Sequence, residues 1–221
     1  MQATQITRLH FVNVYLVPED DGLTLIDTAL PRSSKQILAA AEEQGAPIRR
    51  IVLTHAHGDH VGSLDELADQ LGDVEVIISE RDARLLRKDM SLDPGEPQDK
   101  LRGGYPGRET KPSRTVNASD SVGSLEVIAS PGHTPGHISL LDRRDGTLFT
   151  GDAYSTLGGM AVPSKMNPRF PLVWGATWHR PTALESAKAL RRLEPQRLAP
   201  GHGRVVEQPL EAMDAAIARA E

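Results

Sequence analysis

The chain predicts an α/β layered sandwich. Short apolar strand-like runs alternate with amphipathic helical segments in two successive sets. Four Gly- or Pro-containing turns that follow such runs each present histidine or aspartate. The pattern leaves the strand order open. At 221 residues the chain suits one domain spanning residues 1–221 with a substantial core.

Residues 10–17 (HFVNVYLV) read as a buried strand, with 22–28 (GLTLIDT) as its hairpin partner across Asp21-Gly22. Ser33-Ser34-Lys35-Gln36 has the form of a capping box, so a helix should follow and end near Gly45. Residues 50–54 (RIVLT) form a strand that runs into HAHGDH. Val61, Leu64, Leu67, Ala68 and Leu71 then recur at helical spacing. A strand over 74–78 and a helix over about 80–89 complete the first set. Residues 90–114 are polar and rich in Gly and Pro, as lids, binding loops and disordered segments are. The second set has strands at 125–129, 138–142 and 147–150. An irregular stretch over 157–181 carries Met160, Met166, Phe170, Trp174 and Trp178. Thr182 and Glu185 suggest a capping box for a helix to about 193, followed by short strands at 197–199 and 204–206 and a closing helix from about 208.

Composition narrows the function. Hydrophobic residues are 38% and charged residues 25%, as in a soluble globular protein. No apolar run approaches the roughly 20 residues that cross a bilayer, and the N-terminus lacks the basic and apolar regions of a signal peptide. There is no cysteine, which excludes thiolate nucleophiles, disulfides and cysteine metal ligands. A cytoplasmic location is expected. The net charge of -5 and the absence of a basic block argue against a nucleic-acid partner. Two bound divalent ions would offset four of those five charges.

Of eight histidines, three fall in His55-Ala56-His57-Gly58-Asp59-His60. Alternate residues of extended chain point the same way, so His55 and His57 can face one point. Asp59 and His60 follow at a bend and can face a second. Pro131-Gly132-His133-Thr134-Pro135-Gly136-His137, Thr150-Gly151-Asp152 and Pro200-Gly201-His202-Gly203 repeat this grammar. The bland reading is a set of hydrogen-bonded turn residues, which has no reason to load all four strand ends. For Asp59 it is a helix N-cap before Val61.

HAHGDH, GHTPGH, TGD and PGHG, in that order, resemble the metallo-β-lactamase superfamily over about residues 10–205. The resemblance implies a four-layer αββα sandwich with the metal site at one edge of its two sheets. It implies that His55, His57 and His133 hold one ion, that Asp59, His60 and His202 hold a second, and that Asp152 bridges them. Imidazole and carboxylate suit two zinc ions, and also iron or manganese. The expected chemistry is hydrolysis of an ester, lactone or thioester of a small-molecule substrate by a metal-bridging hydroxide, with Asp59 orienting it or passing on its proton. Tyr154 is a candidate donor to the developing oxyanion, against a packing role. Asp27 and Thr54 are expected to support ligand histidines, and His137 to act structurally beside them. His10 and His179 are read as structural. The Met and Trp residues of 157–181 suggest an apolar pocket or a homodimer contact.

Within the superfamily, the cysteine-dependent lactamases are excluded by composition and those without the bridging aspartate by Asp152. Glyoxalase II resembles the chain in HAHGDH and GHTPGH, but the short stretch after Val206 leaves little for its glutathione-binding helical region. A mononuclear-iron persulfide dioxygenase is the alternative reading. A non-catalytic binding module would be expected to have lost ligands, and none is lost.

Overall fold

The computed structural model describes residues 2–221. One six-stranded sheet runs in chain order: β1 (Thr4–Arg8), β2 (Val12–Glu19), β3 (Gly22–Ile26), β4 (Ile48–Leu53), β5 (Glu75–Ser79) and β6 (Arg114–Val116). The other contains β7 (Ser121–Val122), β8 (Leu125–Ala129), β9 (Ile138–Asp142), β10 (Thr147–Gly151), β11 (Arg197–Pro200) and β12 (Val206–Glu207), arranged from β12 at one edge to β7 at the other. Helices α1 (Ser34–Glu43), α2 (Leu64–Leu71) and α3 (Glu80–Leu86) belong to the first half. Helices α4 (Leu172–Ala176), α5 (Arg180–Arg191) and α6 (Leu210–Ala220) belong to the second.

The layering follows from the two-residue period of strands whose both faces are buried. In β4, Ile51 and Leu53 pack with Ile37, Leu64, Leu67 and Leu85 of the first helices, while Val52 faces the other sheet. In β10, Phe149 faces inward and Leu148 packs against Leu190 of α5 and Met213 of α6. Three apolar clusters thus separate four layers in the order α, β, β, α. The central cluster joins Tyr15, Val17, Ile26 and Val52 to Val127, Leu140 and Phe149.

The helical stripe after HAHGDH starts later than its spacing suggests. Residues 57–61 form tight turns, with the His60 and Val61 N–H groups donating to the His57 carbonyl, and α2 begins at Leu64 behind Ser63. Asp59 therefore caps no helix. Neither expected capping box forms. Ser33 precedes α1 in helical geometry and its hydroxyl has no partner, while its N–H donates to the Ser63 hydroxyl. For α5 the cap is His179, whose Nδ1 accepts from the Thr182 N–H. His10 lies in an exposed left-handed turn ahead of β2. Strands β1, β6 and β7 lack an apolar signature because they are short or lie at sheet edges, and each buries only one side chain.

Tyr154 corrects the sequence reading. It is fully buried in the outer cluster under α5 and α6, and its hydroxyl donates to the Ala187 carbonyl at 2.8 Å. Burial pushes its phenol pKa up, so it stays protonated. Hydrophobic neighbours on α5 and α6 draw the ring away from the sandwich edge where Asp152 lies. Tyr154→Phe should cost about 1 kcal/mol in denaturant unfolding, the worth of one neutral hydrogen bond, and leave turnover unchanged. A turnover loss without a stability loss would contradict this packing role.

Candidate metal centre

The centre is built where β3, β4, β8, β10 and β11 end at one edge of the sandwich. His55, His57, Asp59 and His60 follow β4, His133 follows β8, Asp152 follows β10 and His202 follows β11. Three clusters of ligand-type side chains result: His55, His57 and His133; His55, His60 and Asp152; and Asp59, His60 and His202. Asp152 spans them. Its Oδ2 lies 3.2 Å from His133 Nε2, and its Oδ1 lies 3.3 Å from both His60 Nε2 and His202 Nε2. Asp59 Oδ2 lies 3.4 Å from His202 Nε2.

Hydrogen bonds assign the ring protons. Thr54 Oγ1 donates to Asp27 Oδ2 at 2.8 Å, so toward His55 Nδ1, 3.0 Å away, it can only accept. Thr177 Oγ1 likewise donates to the Val173 carbonyl and accepts from His133 Nδ1 at 2.9 Å. His60 Nδ1 donates to Asp27 Oδ2 at 2.7 Å. His202 Nδ1 donates to the Phe11 carbonyl, and His57 Nε2 to the Arg102 carbonyl. Each ring thus turns its other nitrogen inward, Nδ1 of His57 and Nε2 of the other four, and in a neutral ring that nitrogen is an acceptor. His57 Nδ1 and His133 Nε2 are 3.0 Å apart with no proton to share. Two lone pairs so placed repel unless a cation lies beside both. His55 Nε2, His60 Nε2 and Asp152 Oδ1 are buried without a hydrogen-bond partner. Such orphans are costly in an interior, and this donor set fits metal ions. His137 differs: Nδ1 faces the Ser130 hydroxyl and Nε2 accepts from the Asp152 N–H at 3.0 Å. With both nitrogens engaged it positions the Asp152 turn.

Burial and charge set the protonation. Burial lowers the pKa values of His55, His57 and His133. At His60 and His202 burial acts the same way, but neighbouring carboxylates outweigh it, led by Asp27 at His60 and Asp152 at His202; His60 rises well above its ordinary value and His202 to about 9. Asp59 and Asp152 are held below the usual carboxylate range: burial raises both, but the histidines around them prevail.

Other residues hold the loops. Asp27 has φ 61°, a left-handed conformation that aspartate tolerates, and its Oδ1 accepts from the Thr54 N–H at 2.7 Å. Gly151 and Gly201 leave no room for a side chain. A Cβ at Gly151 would lie 2.7 Å from His137 Nε2, and one at Gly201 would lie 2.7 Å from Asp152 Oδ1. Sequence reasoning missed Asp82. Buried, its carboxyl pushed up to about 6 by burial, it accepts from the Ala56 N–H, the Thr134 hydroxyl and the Gly136 N–H, joining the loops after β4 and β8. It lies in no motif, and a buried acid on α3 was the only available signal. The 90–114 stretch contributes the Arg102 carbonyl, and Tyr105 packs its ring on His57 with centroids 4.6 Å apart.

Fold and centre together define a metal-binding αββα protein of hydrolase type. The chain belongs to the metallo-beta-lactamase superfamily, whose family model matches residues 7–202. Bacillus subtilis (strain 168) protein YobT is 47% identical over all of this chain and 95% of its own length. The probable metallo-hydrolase YflN of the same organism is 33% identical over 90% of this chain and 81% of its own. Among solved structures, the di-iron-bound form of TTHA1623 is 26% identical with TM-score 0.68, covering 96% of this chain and 97% of that one. The BLEG-1 B3 metallo-beta-lactamase, at 21% identity and TM-score 0.72 over 96% and 97% of the two chains, shares the fold. Among the described residues no helix is long and apolar enough to cross a membrane.

Two outcomes follow from the proton assignments. Without ions, His60 and His202 are protonated at pH 7, because carboxylates raise both values. Zinc titrated into metal-free protein should therefore release about two protons, read from the dependence of binding heat on buffer ionisation enthalpy; none released would contradict the assignments. Asp27→Asn should weaken metal affinity about 10- to 100-fold, measured by competition with a chromophoric chelator.

Proposed function

We propose that the chain is a dinuclear metallo-hydrolase, with zinc the preferred ion, that cleaves an ester, lactone or thioester bond of a small molecule. The observation that carries this reading is Asp152, whose two oxygens face His133 on one side and His60 and His202 on the other. In this reading His55, His57 and His133 would hold one ion, Asp59, His60 and His202 would hold the other, and Asp152 would serve both. When bound, such ions supply a hydroxide nucleophile at neutral pH and an electrophile for the carbonyl oxygen.

The chain's own residues do the rest. A cleft of about 670 Å³ borders Asp59, with Leu30, Pro31, Tyr105 and Pro106 along its walls and Arg108 at its side. Its walls suit an apolar acyl or lactone body. Asp59 is the ligand candidate most open to that cleft, its side chain 34% exposed. With Oδ2 toward His202, its Oδ1 is free to orient the attacking group and accept its proton. Arg108 Nε donates to the Val61 carbonyl at 2.5 Å and a second nitrogen to that of Gly62, which fixes its positive charge beside the cleft. This favours a substrate that becomes an oxyanion. The thioester option also draws on the hydroxyacylglutathione hydrolase of Xanthomonas euvesicatoria pv. vesicatoria (strain 85-10), 31% identical over 65% of this chain; the match spans 46% of that enzyme.

Elemental analysis should find about two metal ions per chain, and an ester, lactone and thioester panel should reveal turnover that chelation abolishes. Asp152→Ala should remove about one ion and lower kcat/KM by about a hundredfold or more while the chain stays folded by circular dichroism. One iron per chain, with oxygen uptake on a persulfide, would replace this reading with the dioxygenase.

A further inference from the structure

We propose that the cavity between residues 158–169 and α6 is a binding site for a small amphipathic anion, a carboxylate head on an apolar body, separate from the metal centre. The cavity has a volume of about 490 Å³, and none of its lining residues belongs to the centre. Met160, Val162 and Ala216 form its apolar surface. Lys165, Arg169 and Arg219 line it as well, and no acidic residue does. In a chain with 30 acidic against 25 basic residues, that grouping is one-sided.

Many of the protein's surface cations are already neutralised by acidic neighbours. Arg81, Arg84, Arg144, Arg191 and Arg197 each pair with an acidic side chain. Among the described residues Lys165, Arg169 and Arg219 pair with none. Arg219 donates to the Met160 carbonyl at 2.7 Å, which anchors its guanidinium against the loop and leaves other N–H groups for an anion. Unpaired cations over an apolar floor are complementary to a molecule that is charged at one end only.

The cavity is also built rather than left by slack chain. Ser155 and Ala161 exchange backbone hydrogen bonds of 3.0 and 2.8 Å that close the neck of the loop. Asn167 Nδ2 donates to the Leu157 carbonyl at 3.1 Å. Gly158 turns with φ 75°, and a Cβ there would strike Arg169. A preformed site loses little ordering entropy on binding.

Decanoate titrated calorimetrically into the metal-loaded protein tests the proposal. Decanoate should bind with one site per chain. Lys165→Glu combined with Arg169→Glu should weaken binding about tenfold or more, and uncharged decanol should bind about tenfold more weakly or worse. Both side chains are exposed and make no hydrogen bond within the described residues, so the double variant should fold. Asp152→Ala, which alters the metal centre, should leave the affinity unchanged. Unchanged affinity in the charge-reversed variant, loss of binding in Asp152→Ala, or no binding to the original protein would each overturn the assignment. The last arm also separates this site from the hydrolytic one, whose failure would show in metal content and turnover instead.

Discussion

Five imidazoles turn one nitrogen each toward a shared space a few ångströms across, and the rest of the molecule is organised around holding them there. Alone, such an array is unfavourable: lone pairs repel, and buried acceptors lack donors. It persists because each ring is fixed from behind. Asp27 holds His60 directly and His55 through Thr54, Thr177 holds His133, and main-chain carbonyls of Phe11 and Arg102 hold His202 and His57. Each of these bonds places a proton on the outward nitrogen. Tautomer choice, and with it metal affinity, is thus made outside the cavity that would hold the ions.

The sandwich makes this possible by bringing ends of strands from both sheets to one edge. Packing of Val52 and Ile26 against Val127 and Phe149 positions the loops after β4 and β10 against each other, so that Asp152 from the second sheet reaches His60 from the first. Close approach then forbids side chains at Gly151 and Gly201. Asp82 adds a second brace between the loops after β4 and β8. The cleft beside Asp59 takes its walls from the turn after β3 and from the irregular 90–114 stretch. That stretch packs on the centre, with Tyr105 against His57, so the wall of the cleft and the ligand candidates share a loop.

What the sequence determined by itself was the order of the buried strands and the main helices, and the ligand candidates. Buried strands such as RIVL are short and apolar on both faces, and histidine-loaded turns stand out against the strands that precede them. Their spacing is a local property of extended chain. Only the tertiary structure decided the remaining roles. Tyr154 and Asp152 are two residues apart, yet one joins the core beneath α5 and the other faces the ligand candidates, because the turn after β10 sends them to opposite sides. His133 and His137 belong to one motif, but only His133 retains a free inward nitrogen, since His137 is engaged at both. Partners for ring protons and the unpaired cations over the α6 cavity come from residues distant in the chain, and no local periodicity encodes which distant group will meet which.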